Sequence, residues 1–316
     1  MTLRTKTLKA EKGGFAAAAE IWRGGGLVAF PTETVYGLGA DACNDHAVAR
    51  IFEAKGRPRF NPLIVHVDSA ETARCFVEWS DTAEILASAF WPGPLTLVLP
   101  LKQDSVLSPL VTAELPSLAI RVPAHPVAKD LLKEFGGPIA APSANPSGRI
   151  SPTSAAHVLD GLNGRIEAVL DGGACDVGVE STIVGLVEKP TLLRPGGLPV
   201  EAITTAIGVP LYTRAATDAM NAPGQMASHY APGAPVRLNA VDIGPDERLL
   251  GFGKIACDLN LSESGDLTEA AANLFGHLHA LDAMGATTIA VSPIPEIGLG
   301  RAINDRLRRA AAPRDA

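Results

Sequence analysis

Two segments constrain this chain more than any others: Phe30 to Asp41, FPTETVYGLGAD, and Lys55 to His66, KGRPRFNPLIVH. A short apolar run, Leu27 to Phe30, reads as a buried strand that empties into a turn opened by Pro31 and lined with Thr32, Thr34 and Tyr36. In the second segment Lys55 and Arg57 flank Gly56, a Pro-rich turn follows, and a strand from Leu63 to Val67 carries His66. Two cations on a Gly/Pro turn beside a strand end suit polyphosphate, because Arg offers a planar donor fork and Lys a compact charge.

Islands of the same kind recur downstream. SLAIRVP, Ser117 to Pro123, sets Arg121 in the middle of an apolar strand, where an unpaired guanidinium is expensive, so Arg121 calls for an anion. In PIAAPSANPSGRISPT, Pro138 to Thr153, a strand runs into Ser143, Asn145, Ser147, Ser151 and Thr153, whose hydroxyls and amide can hold ribose, phosphate oxygens or an adenine edge. GVESTIVGL, Gly178 to Leu186, opens a β-branched strand with Ser181 and Thr182. LLRPGG, Leu192 to Gly197, closes another with Arg194 beside a Gly pair that lets backbone approach a ligand closely.

Between the islands, apolar runs alternate with helical periodicity. Helices are predicted over residues 15–23, Asp45 to Ala54, Ser69 to Phe76, Asp81 to Phe90, Pro126 to Glu134, Thr153 to Leu159 and Val200 to Ile207. Strands are predicted at Leu27 to Phe30, Leu63 to Val67, Leu95 to Leu99, Leu118 to Val122, Ile139 to Ala141, Ala168 to Leu170, Thr182 to Gly185 and Leu192 to Arg194. This is a mixed α/β domain over residues 1–211. Residues 212–235 lack periodicity and read as an ordered linker, with Ser228, His229 and Tyr230 between Gly224 and Pro232. Residues 236–316 read as a small Rossmann-like α/β domain: strands at Val236 to Leu238, Leu249 to Phe252 and Thr287 to Val291, and a helix from Leu267 to Ala283. It carries no G-x-G-x-x-G fingerprint after its first strand, which argues against nucleotide binding there.

Net charge of −7 argues against a broad sequence-independent nucleic-acid surface. The densest basic run, Arg301, Arg306, Arg308 and Arg309, reads as the solvated face of the last helix. Cys43, Cys75, Cys175 and Cys257 lie far apart with no CxxC pair, so they read as buried thiols rather than a zinc site or disulfide framework. The basic N-terminus lacks the apolar core of a signal peptide and no run of 18 apolar residues occurs, so a cytoplasmic protein without a membrane span is expected.

In their order, PTETVYGL, KGRPRFNPLIVH, WPGPLTLVL, LAIRVP, PSAN, SGRISPT, VESTIV and LLRPGG resemble the YrdC-like family of threonylcarbamoyl-AMP synthases. APGQMASHYAPGAPV, Ala222 to Val236, and the closing GLGRAINDRLRRAA resemble its longer, two-domain form. The resemblance implies a YrdC-like twisted mixed sheet with helices and a concave cleft, followed by the small Rossmann-like domain. It implies an enzyme that joins L-threonine, bicarbonate and ATP into threonylcarbamoyl-AMP and pyrophosphate, for the threonylcarbamoyladenosine of tRNA. Carried over by motif, Thr34, His66, Arg121, Ser143 and Ser181 would surround threonine, with Arg121 pairing its carboxylate. Lys55, Arg57, Asn61, Ser117, Asn145, Thr153 and Arg194 would hold ATP, Lys55 and Arg57 serving catalysis, and Tyr230 would reach it from a linker acting as a lid. Mg²⁺ is expected through the phosphates, with no protein-built metal site. Glu33 and Glu180 are open between loop capping, an ion pair and metal contact, and His66 reads as a positioning group rather than a base. The downstream partner implied is tRNA modification machinery. An alternative is a non-catalytic module holding tRNA or double-stranded RNA through Lys55, Arg57, Arg121, Arg149 and Arg194.

Overall fold

The computed structural model describes residues 3–58, 60–213 and 228–313, so residues 214–227 of the expected linker, Gly224 among them, lie outside the described residues. The first unit comprises β1 Lys6–Lys9, α1 Lys12–Arg23, β2 Val28–Phe30, β3 Gly37–Asp41, α2 Asp45–Lys55, β4 Ile64–His66, α3 Ala70–Arg74, α4 Asp81–Phe90 and β5 Leu95–Pro100. It continues with α5 Pro109–Thr112, β6 Ser117–Arg121, α6 Pro126–Phe135, β7 Ile139–Ala140, α7 Ala155–Leu162, β8 Ala168–Asp171, β9 Thr182–Gly185, β10 Thr191–Arg194, α8 Val200–Ile207 and β11 Tyr212–Thr213. A second unit holds β12 Val236–Arg237, β13 Glu247–Gly251, β14 Leu259–Asn260, α9 Leu267–Ala283, β15 Thr288–Val291 and α10 Gly300–Ala311.

Local chemistry sets these boundaries. Asn44 Oδ1 accepts from Ala47 N at 3.1 Å to cap α2, and Gly56, left-handed at φ 60°, ends it just beyond Lys55. The α2 face that carries Val48, Ile51 and Phe52 is buried, as its spacing predicts. Ser69 and Ser154, predicted inside helices, are instead the N-caps of α3 and α7. Strand β3 was not predicted because Gly37 and Gly39 mask it; a Cβ at Gly39 would stand 2.6 Å from the Trp22 ring, so the strand can run there only without one.

The first sheet has 11 strands in the order β1-β8-β2-β3-β7-β4-β6-β5-β9-β10-β11, and the second has four in the order β12-β15-β13-β14. The large sheet is mixed: β4 runs parallel to β6 and β5 parallel to β9, while β3–β7 and β5–β6 are antiparallel. The small sheet is parallel throughout, as expected of a Rossmann-like unit. Register delivers the site. Parallel pairing sets His66 opposite Arg121, and a register shift between Leu192 and Arg194 on β10 re-aims Arg194 at the adjacent strand β9.

The two units share one apolar cluster, in which Val35, Ile150 and Val179 of the first pack with Leu274, Phe275 and Ile303 of α9 and α10. Gly178, at φ +74°, makes that approach possible: a Cβ there would sit 2.4 Å from Ala271 O. We expect Gly178→Ala to destabilise the chain by about 1–3 kcal/mol through backbone strain and overpacking, read as a lower denaturant midpoint; an unchanged midpoint would show that the units do not depend on this contact.

Candidate active site

At the turn after β2, Thr32 Oγ1 donates to Val35 O at 2.7 Å and accepts from the amides of Thr34 and Val35, both at 3.2 Å. The turn so tied presents Thr34 Oγ1 to Arg121, whose Nη1 donates to it at 2.9 Å while Nε donates to Gly93 O at 3.1 Å. Arg121 stands at the end of β6, not in mid-strand as the sequence suggests, and its anion comes from within the chain: Nη2 lies 2.6 Å from Glu33 Oε1. Burial raises the Glu33 carboxyl, but Arg121 outweighs it and holds the group below the usual carboxylate range. Of the roles left open for Glu33, the geometry is that of an ion pair.

The cations facing them are anchored by backbone. Lys55 Nζ donates to the carbonyls of Ser143 and Asn145, Arg57 Nη2 to Pro62 O at 3.0 Å, and Arg194 Nη2 to Ser181 O at 2.9 Å. Ser181 Oγ is bonded to Thr96 Oγ1 at 2.7 Å. Burial, and then Arg57, hold the Lys55 ammonium well below the lysine range; burial brings Arg57 down to about 10.

Thr34, Arg57, His66, Arg121, Ser143, Ser181, Arg194 and Tyr230 line one cavity, with Glu180 and His229. Lys55, Asn61, Ser117 and Thr153 are buried but do not line it, and Asn145 lines a second hollow of about 490 Å³ with Arg149, His157 and His279. The first cavity leaves only about 50 Å³ free, on the scale of a water or two, and His229 and Tyr230 form part of its wall. Tyr230 is 1 % exposed, holds the left-handed φ of 62°, and stacks on Phe275 at 5.6 Å. On one side Ala231 N donates to Gly148 O at 2.8 Å; on the other, Asp282 accepts from Gly233 N and Ala234 N at 2.8 and 3.0 Å.

Asn61 Nδ2, His66 Nδ1, Asn145 Oδ1 and His229 Nδ1 are buried without a hydrogen-bond partner among the described residues. Each such group costs about 1–3 kcal/mol, and two of them, on His66 and His229, line the first cavity, as the polar walls of a ligand site do. Four cations of the RNA-module reading, Lys55, Arg57, Arg121 and Arg194, are 3–8 % exposed and only Arg149 is on the surface, so they form no basic face.

Sequence reasoning went wrong at two kinds of residue. Arg306, taken for part of a solvated face, is fully buried, and its Nε donates to Glu180 Oε2 at 2.7 Å. Its helical spacing held the signal: it sits three residues after Ile303 and four before Ala310, on the apolar side of α10. Cys43 and Cys75, expected buried, are exposed, because the one lies on the loop before α2 and the other closes the short α3.

Comparison with known proteins gives matches along the chain. Residues 20–196 match a family model described as "Telomere recombination", which joins Sua5, YciO and YrdC. Residues 198–312 match one described as "Threonylcarbamoyl-AMP synthase, C-terminal domain". The threonylcarbamoyl-AMP synthase of Pyrococcus abyssi is 44 % identical over 320 residues, covering 93 % of each chain, and that of Bacillus subtilis 41 % over 324 residues, covering 95 % of this chain and 93 % of the other. The crystal structure of P. abyssi Sua5 complexed with L-threonine superposes with a TM-score of 0.90 at 42 % identity, covering 97 % of both chains.

Burial, then Arg121, pushes the His66 imidazolium from 6.5 down to about 3. The native state thus leaves His66 neutral where the unfolded chain protonates it, so stability falls as pH drops through 6.5 toward 3. The fall is about 1.4 kcal/mol per pH unit for this one group. Denaturant unfolding between about pH 6.5 and 5 is expected to show a slope shallower by that amount in His66→Asn; equal slopes would mean that His66 titrates normally.

Proposed function

This chain belongs to the threonylcarbamoyl-AMP synthase family, and we propose how its own residues divide the work of the reaction. The enzyme joins L-threonine, bicarbonate and ATP into L-threonylcarbamoyladenylate and pyrophosphate. Threonine amine and bicarbonate condense to a carbamate with loss of water, one carbamate oxygen attacks the α-phosphorus, and pyrophosphate leaves. No covalent nucleophile is required; positioning and charge neutralisation supply the rate.

The observation that carries the assignment is the meeting, at one cavity, of Arg121 braced by Thr34 with Arg57 from the loop after α2 and Arg194 from the end of β10. Arg121 takes the threonine carboxylate, with Thr34, His66, Ser143 and Ser181 around the amino acid. Arg57 and Arg194 take the phosphates. Asn61, Ser117, Asn145 and Thr153 hold ribose and base. Lys55, tied to two carbonyls of the 143–145 loop, sets that loop beside Arg57. A neutral His66 with so low a proton affinity is a poor base near neutral pH, which favours a positioning role.

In this reading the linker, whose His229 and Tyr230 line the small cavity, moves aside for ATP and closes again to keep water from the adenylate. The strained φ of Tyr230 suits a segment that changes conformation. In this reading magnesium arrives with the triphosphate, and Glu33 and Glu180 are engaged by arginines. The division into residues 1–211, 212–235 and 236–316, with the middle stretch as lid, belongs to this proposal, although Tyr212 and Thr213 at its start pair with β10 as the last strand of the first sheet and stay with that unit. So do the cytoplasmic setting and hand-over to tRNA modification machinery. No described helix is long and apolar enough to cross a membrane.

Threonine-dependent pyrophosphate release from ATP and bicarbonate, with no RNA present, tests the whole; RNA affinity without turnover would reverse it. Arg121→Ala, made with Glu33→Gln so that no buried carboxylate is stranded, should weaken threonine binding by on the order of 2–4 kcal/mol and ATP far less. Equal loss for both ligands refutes the Arg121 assignment. Arg57→Ala should cut turnover with ATP at least about tenfold while calorimetry still detects threonine; lost threonine affinity would move Arg57 to the other substrate.

A further inference from the structure

We propose that Arg306, supplied by the C-terminal unit, is a positioning residue of the active site: it keeps the Glu180 carboxylate compensated, so that a polyphosphate can be bound beside it. This rests on the reading of the cavity as the nucleotide site. Glu180 lines that cavity along with Arg194, follows Val179 in sequence and precedes Ser181, and is 6 % exposed. A carboxylate there opposes the charge the cavity has to attract, and in a buried setting the opposition is poorly screened.

The fold answers with partners from two directions. Ser151 Oγ donates to Glu180 Oε1, and Arg306 Nε, from 126 residues further along the chain, donates to Oε2 at 2.7 Å. Arg306 is 0 % exposed; Nη1 donates to Asp305 Oδ2 at 2.6 Å, the guanidinium carbon lies 5.1 Å from the Tyr230 ring centroid, and Nη2 has no hydrogen-bond partner among the described residues. One guanidinium from the second unit thus touches both a carboxylate and an aromatic ring of the cavity wall. Interaction with the shared core does not require a cation at position 306; a buried arginine bonded across the units to a cavity carboxylate does something a leucine there could not.

The charged and titratable groups around Glu180 are Arg306 and Asp305 on α10, Arg194 on β10, and His229 and Tyr230 on the linker. Burial raises the Glu180 carboxyl, but Arg306, Arg194 and Ser151 bring it below the usual range. His229 is pushed to about 3 by burial, and Tyr230 is raised by burial, so neither titrates near neutrality. Without Arg306 the largest influence that lowers Glu180 is gone, and burial pushes its folded pKa upward. The resulting penalty is then largest at high pH and is relieved as pH falls.

The test compares Arg306→Met, Glu180→Gln/Arg306→Met and wild type, using ATP and a non-hydrolysable ATP analogue as probes. Arg306→Met is expected to raise the KM for ATP at least about tenfold near pH 8 with a much smaller change for threonine, and the deficit should shrink toward pH 6. The double variant, with no carboxylate to compensate, should recover most of the loss. In the ligand-free protein, the thermal midpoint of Arg306→Met should lag wild type most near pH 8 and approach it toward pH 5.5. That readout stands even if the cavity proves not to bind nucleotide. Equal impairment of the single and double variants, an unchanged KM for ATP, or a midpoint gap independent of pH overturns the proposal and leaves a structural ion pair. Should Arg306→Met fail to fold, Arg306→Lys and the double variant decide: both keep the site compensated and must bind the analogue within a few-fold of wild type, and loss of binding in either overturns it.

Discussion

Burying five cationic side chains around one small cavity is the constraint on which the rest of the molecule depends. Lys55, Arg57, Arg121, Arg194 and Arg306 are 0–8 % exposed, and a charge so placed is tolerated only where carbonyls or carboxylates replace its water. The strand ends provide these in sequence-distant pairs: carbonyls of the 143–145 loop for Lys55, the Ser181 carbonyl for Arg194, Glu33 for Arg121 and Glu180 for Arg306. Each pairing fixes the position of one loop relative to another, so the electrostatic arrangement and the tertiary fold are one set of contacts.

The same enclosure governs the neutral groups. His66 and His229 are both pushed to about 3, so the site presents imidazoles, not imidazoliums, near neutrality. Positive potential therefore rests on the guanidiniums, which cannot lose their protons at physiological pH even where burial weakens them. A site of this kind binds anions with a charge that hardly varies across the neutral range, and its protonation-sensitive members are carboxylates whose compensation could be lost.

Much of this was legible in the sequence because the islands lie where apolar runs meet Gly and Pro turns, and strand-end chemistry survives errors of a residue or two at element boundaries. Helix caps read one or two residues off, as at Ser154, for that reason did no harm. What could not be read was partnership. Nothing local to Arg121 names Glu33, and nothing near Glu180 names Arg306; these pairs are made by sheet register and by docking of the second unit. The lysine-flanked β1, KTLK, sits at the sheet edge with mostly exposed side chains and carries no apolar alternation to announce it. Nor could composition tell that Tyr230 is buried in the cavity wall and stacked on Phe275 of the second unit.

The apolar cluster common to both units has a further implication for how such chains change over time. Val35, Ile150 and Val179 each lie within a few residues of a site motif, yet they pack against α9 and α10. In a chain without the second unit these three positions would face water, and polar residues there would be the economical solution; in this chain polar residues would loosen the seam. Residues 35, 150 and 179 should therefore vary together with the α9 and α10 residues they meet, independently of the site residues beside them, so that lineages gaining or losing the second unit leave a mark inside the substrate motifs without altering the chemistry.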